Sequence, residues 1–195
     1  MATATSPPGQ RHLNVPNVLT ASRFVLALVL FVLIGAQAWL ACLVVFAMAA
    51  VTDFLDGYLA RRMGITSTLG RNLDPLVDKV LMCGAFIFLL PEPAAGVTPW
   101  IAVIIVAREL VITGLRGFLE SQGIVFGADN LGKLKMALQC AALIAIFVAL
   151  QAHGQAGPEV PLLAAVSGIL VYAMVAATAW SGLQYLWKAA QLLKH

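Results

Sequence analysis

Six apolar runs, each about as long as a bilayer is thick, constrain this chain more than any motif in it. They are Val15–Ile34, Trp39–Arg62, Asp74–Leu90, Pro99–Phe118, Leu131–Leu150 and Val160–Trp187. A helix needs about 20 apolar residues to cross the hydrocarbon core. Inside lipid, only helices and closed barrels satisfy their own backbone polar groups, and runs of this length belong to helices. Charged residues make up 11% of the 195 residues, whereas a soluble domain carries about 25%. The expected fold class is therefore all-α: a polytopic integral membrane protein with six transmembrane helices. One domain is the default at this length, and no internal repeat of fixed period is apparent.

The placement of charge gives the orientation. With the N-terminus inside, the inner side takes Arg11, Arg23, Arg61, Arg62, Arg71, Lys79, Arg108, Arg116, Lys133, Lys135, Lys188 and Lys194, which is all 12 Lys and Arg residues. The outer loops Gly35–Ala38, Pro91–Thr98 and Gln151–Glu159 hold none. This asymmetry predicts an inner, cytoplasmic membrane protein with both termini in the cytoplasm. Arg11, an apolar run and Ala36-Gln37-Ala38 resemble a cleaved signal peptide. The run is too long for that and Arg23 interrupts it, so a retained first span is expected.

Residues 1–13 read as a disordered, Ser/Thr/Pro-rich tail, 14–190 as the membrane domain and 191–195 as a short C-terminal tail. Pro16 fits the first turn of the first helix, Pro75 that of the third, and Thr98-Pro99 a cap and first residue for the fourth. Met63–Asn72 and Ser121–Asn130 are expected inner loops. Trp39 is expected to anchor the second helix at the interface, and Trp100, Trp180 and Trp187 to anchor or pack. Cys42, Cys83 and Cys140 fit no metal spacing and read as small packing residues. His12, His153 and His195 are isolated and read as surface residues.

Chemistry concentrates in one run between the second and third helices. Asp53 and Asp56 are three residues apart, and Asp74 and Asp78 four apart, so each pair shares a helix face. A short loop makes the two helices antiparallel neighbours, with the pairs facing each other near the inner surface. Ionised carboxylates beside hydrocarbon are unfavourable unless a partner balances them. Four carboxylates without His or Cys suit hard cations, Mg²⁺ or Mn²⁺, and two such ions would clamp a pyrophosphate. Gly57, Ala60 and Gly70 leave room for a ligand near the backbone, and Arg61 is placed to meet a phosphate. Packing glycines and snorkelling charges would explain any one of these residues. They do not explain four aspartates at this spacing without four cations placed to neutralise them.

The run reads D-x2-D-G-x2-A-R-x8-G-x3-D-x3-D, with all eight fixed positions occupied. It resembles the signature of the CDP-alcohol phosphotransferases. The resemblance implies a six-helix membrane enzyme, homodimeric, that moves a phosphatidyl or similar group from a CDP-linked donor to an alcohol and releases CMP. It also implies metal ligation by Asp53, Asp56, Asp74 and Asp78, with Asp78 as general base. CDP binding would fall to Asp56, Gly57, Ala60, Arg61 and Gly70.

The acceptor rests on other residues. Arg108, Arg116, Lys133 and Lys135 surround one inner loop and suggest a phosphate-bearing acceptor. Lys133 and Lys135 also fit ordinary positive-inside charge, but Arg108 interrupts an apolar run, where charge means function or pairing. Glu109 is adjacent to Arg108, about 100° round the helix, so a partner for Arg108 on another helix is expected. Val15-Pro-Asn-Val-Leu-Thr-Ala-Ser-Arg23, the A-R-E at Ala107–Glu109 and the G-K-x-K at Gly132–Lys135 narrow the resemblance. They are similar to the branch that joins CDP-diacylglycerol to glycerol 3-phosphate. Met136 departs from it, standing where Thr is expected, and the sixth helix reads as generic. Other branches would take phosphatidylglycerol, inositol phosphate or serine. From a different class, an ion or proton transporter also carries intramembrane acids. Here the acids cluster at one face, with no inverted repeat or interrupted helix. Membrane lipids are the expected surroundings, and no nucleic-acid partner is expected.

Overall fold

The computed structural model describes the backbone of residues 15–63, 68–123, 130–156 and 161–192, and side chains within 20–52, 76–123, 131–155 and 161–192. Among these residues there are six α-helices and one short 3-10 turn. They are α1 (Val15–Gly35), α2 (Trp39–Met63), α3 (Thr68–Phe88), α4 (Pro99–Ser121), α5 (Asn130–Ala156) and α6 (Pro161–Leu192), with the turn at Pro93–Ala95. α5 and α6 are long and apolar enough to cross a membrane.

The packing follows from which apolar residues recur on one face. α1 touches both α2 and α3, α5 packs along α6 and against α2, and α4 lies on α6 and α3. Ala27, Leu30 and Ile34 of α1 meet Cys42, Phe46 and Ala49 of α2 and Leu81, Ala85 and Phe86 of α3 in one core. Phe147 of α5 closes edge-on against Phe46, at a centroid distance of 6.2 Å. Phe31 stacks on Phe88 at 4.9 Å. This stack lies over Gly84, where a Cβ would sit 2.2 Å from the Phe31 ring. Any larger residue there would push the Phe31 ring out of this stack.

The end opposite the acidic run is tied by side chains. Gln37, in the turn between α1 and α2, donates to Glu92 at 2.9 Å. Gln151 of α5 accepts from the Leu40 N–H at 2.9 Å, which satisfies one of the donors that a helix N-terminus leaves unpaired.

Four expectations change. α3 begins at Thr68 and runs through Pro75, so the inner connection is shorter than Met63–Asn72. A proline inside a membrane helix is tolerated where neighbouring groups take up the freed carbonyl. Pro91–Thr98 is not a plain outer loop: it contains the 3-10 turn and buries Ala95 and Val97 against the core. Trp39 is buried in that core rather than anchored at an interface, while Trp100, Trp180 and Trp187 are exposed. Thr98 does cap α4 by position, with proline in the first turn, but its hydroxyl makes no capping bond. Cys42 is buried and Cys83 and Cys140 half-buried, all as free thiols.

Candidate active site

Position 53 and position 56 fall near the end of α2, and positions 74 and 78 in the first half of α3. Asp78 is the one of the four whose side chain is described. Asp53, Asp56, Gly57, Ala60, Arg61, Gly70 and Asp74 lie outside the described side chains, so the facing of the two acidic pairs also lies outside them. Asp78 is 29% exposed and sits 3.9 Å from Nη1 of Arg23, which is 2% exposed. An arginine buried in an apolar helix needs such a counter-charge. The contact joins the start of α1 to α3 at the acidic end of the bundle.

A cavity of about 170 Å³ opens beside Asp78, between α3, α4 and α5. Asp78, Lys79 and Met82 form one wall. Gly132, Lys135, Met136 and Gln139 of α5 form another. Their offsets of three, four and seven residues set a stripe along α5. Glu109 of α4 closes the third side.

Glu109 organises the charges around that cavity. Its buried carboxylate accepts a hydrogen bond from the buried ammonium of Lys135. The same Oε1 accepts from Arg108 Nη1 at 3.2 Å. Two cations on one carboxylate leave a positive balance of one in a poorly hydrated place, which favours an anionic ligand. Arg108 therefore does reach its chain neighbour, contrary to the angular expectation. Its long side chain bends back, and it reaches another helix as well.

That other helix is α6, which looks generic in the sequence. Arg108 Nη2 donates to Ser181 Oγ at 3.2 Å. Ser181 gives its own proton to the Thr178 carbonyl at 3.1 Å, so its lone pairs face the guanidinium. At Gly182 a Cβ would stand 3.3 Å from Arg108 Cγ, so the glycine leaves room for the arginine stem. Two turns further along α4, Arg116 Nη2 donates to the Tyr185 hydroxyl at 2.6 Å, with the guanidinium 5.7 Å from the ring centroid. Both α4 arginines are thus held by α6. The signal was present: Thr178, Ser181, Gly182 and Tyr185 follow helical spacing within an apolar helix.

The four basic residues proposed for the acceptor are not equivalent. Lys135 lines the cavity with Asp78. Arg108 stands behind it through Glu109. Arg116 is docked on Tyr185. Lys133 is exposed, two residues from Lys135 and so about 200° round α5.

Comparison with known proteins agrees with this picture. A family model described as CDP-alcohol phosphatidyltransferase matches residues 13–180. The CDP-diacylglycerol–glycerol-3-phosphate 3-phosphatidyltransferase of Bacillus subtilis is 33% identical over 150 residues, covering 69% of this chain and 77% of that one. The enzyme of the same name from Rickettsia typhi is 33% identical over 144 residues, covering 72% and 80%. A CMP-forming cardiolipin synthase from rice is 31% identical over 205 residues, covering 97% of this chain and 61% of its own.

Proposed function

We propose that the chain, which belongs to the CDP-alcohol phosphatidyltransferase family, transfers the phosphatidyl group of CDP-diacylglycerol to the sn-1 hydroxyl of glycerol 3-phosphate. The products are phosphatidylglycerophosphate and CMP. One observation carries this reading: Asp78 and Lys135 line a single cavity, in a chain one third identical to enzymes named for this reaction.

In this reading Asp78 accepts the proton of the sn-1 hydroxyl as its oxygen attacks the phosphorus bearing the diacylglycerol. The bond from that phosphorus to the oxygen of CMP breaks, and CMP leaves. General-base help of this kind contributes about 10²–10⁴-fold. Lys135, oriented by Glu109, holds the acceptor phosphate, with Arg108, Arg116 and Lys133 adding charge around it. Gly57, Ala60, Arg61 and Gly70, with Asp56, receive the CDP group.

Enzymes of this family generally use divalent metal ions. The donor chemistry fits: Asp78 offers hard oxygen at the cavity wall, and Asp53, Asp56 and Asp74 extend an oxygen-only set in the sequence. These four residues would hold Mg²⁺ or Mn²⁺, two ions in our reading. When bound, such ions neutralise pyrophosphate charge.

The chain further reads as six spans forming one domain over residues 14–190, with both termini and the site at the cytoplasmic face and a homodimer as the working unit. The one-sided placement of all 12 Lys and Arg residues supports that orientation. The test is an acceptor panel with purified protein, CDP-diacylglycerol and Mg²⁺. Glycerol 3-phosphate should yield labelled phosphatidylglycerophosphate faster than phosphatidylglycerol or inositol phosphate yields product. The rice relative supports the second reading, cardiolipin formation. Preference for phosphatidylglycerol would establish it instead.

A further inference from the structure

Gln139 is a buried polar cavity residue that the proposed chemistry leaves without a task. It sits one turn beyond Lys135 on the same face of α5, and it is 1% exposed. Its Nε2 donates to no acceptor among the described residues, although the side chain lines the cavity. A buried amide without a partner is unfavourable, and an acceptor on a ligand in the cavity would satisfy it. The cavity measures about 170 Å³ and is lined by the Asp78 carboxylate, the Lys135 ammonium and this amide together.

We propose that Gln139 reads the acceptor: its amide donates a hydrogen bond to the sn-2 hydroxyl of glycerol 3-phosphate, the hydroxyl that does not react. This rests on the activity proposed above. The layout of the walls supports it. Lys135 supplies a cation for the phosphate and Asp78 faces the reacting hydroxyl. Gln139, one turn deeper along α5, meets the carbon between them. Met82 and Met136 give that carbon chain apolar contact.

The experiment compares kcat/KM for glycerol 3-phosphate with that for 3-hydroxypropyl phosphate, which keeps the phosphate and the reacting hydroxyl but lacks the middle one. The wild-type enzyme should prefer glycerol 3-phosphate by about ten- to a hundredfold, the range for stranding a buried polar group. Gln139→Leu and the length-matched Gln139→Met should bring the ratio close to one. They should do so by losing rate with glycerol 3-phosphate alone, with the KM for CDP-diacylglycerol unchanged. Taking the ratio within each variant cancels any loss of folded protein. If a variant turns over neither acceptor, thermal stabilisation of the purified variant by each acceptor gives the same comparison. An unchanged preference in both variants, or no preference in the wild type, overturns the assignment. A wild-type enzyme that uses no glycerol 3-phosphate overturns the proposed function instead, so the two failures are distinguishable.

Discussion

Glu109 carries more of the site's architecture than any side chain in the acidic signature whose position is described. It lies inside a run of apolar residues and binds two cations from two helices. Removing one member of a buried ion pair leaves the other uncompensated, at about 3–5 kcal/mol. Glu109→Ala should therefore lower the unfolding temperature in detergent by several degrees. Replacing the pair together, as Glu109→Leu with Lys135→Met, should recover much of that loss, since Arg108 keeps Ser181. A double variant no more stable than Glu109→Ala would show that the pair is not what stabilises this end. At Asp78 catalysis and stability are coupled, because its carboxylate is both the proposed base and a counter-charge of the buried Arg23. Asp78→Asn keeps the volume and loses the base, so turnover per folded molecule should fall by at least about a hundredfold, and the thermal transition should fall as well because Arg23 loses this counter-charge. Asp53→Asn and Asp74→Asn should lose turnover likewise if they hold metal. A near-normal rate in Mg²⁺ for any one of them would remove that residue from the mechanism, and chelation should stop the wild-type enzyme.

Helices differ in how much of their role can be read from sequence. The six apolar runs and the cap of α4 were legible because length, proline and apolar content are local properties. The start of α3 was not. Pro75 looks like a first-turn residue, and only packing lets a helix continue N-terminal to it. α6 was harder still. Its polar residues are few, and each looks harmless until α4 brings two arginines against them. Lys133 and Lys135 look alike in the sequence, yet the turn of α5 exposes one and buries the other. The same helix-scale view predicts that α6 tunes acceptor binding without touching CDP. Arg116→Ala should raise the acceptor KM severalfold, less than loss of Lys135, because its guanidinium adds charge without lining the cavity. Tyr185→Phe removes only the hydroxyl that holds Arg116 and keeps the ring beneath it. It should raise the same KM by a smaller factor, leaving that for CDP-diacylglycerol unchanged. Equal effects on both substrates would mean that α6 acts on general folding rather than on the arginines.

At the scale of the whole molecule, the two ends of the bundle have different chemistry. One end is tied by neutral and acidic groups, Gln37 with Glu92 and Gln151 with the start of α2. The other gathers Arg23, Asp78, Glu109, Lys135, Arg108 and Arg116. Cations are retained on the cytoplasmic side during insertion, so in the proposed orientation the charged end would face the compartment that supplies a water-soluble phosphorylated acceptor, and the lipid donor would reach the same level from within the membrane. Orientation is testable on a background with Cys42, Cys83 and Cys140 replaced by Ala. Ser67→Cys should react with an impermeant maleimide only after the cells are opened, and His153→Cys, at the far end of α5, should react in intact cells. The reverse pattern would place the carboxylates outside, away from cytosolic glycerol 3-phosphate, and the charge asymmetry would have to be explained by binding rather than by insertion. Reaction of both sites from outside would mean that the helices between them do not form the alternating spans required by six crossings.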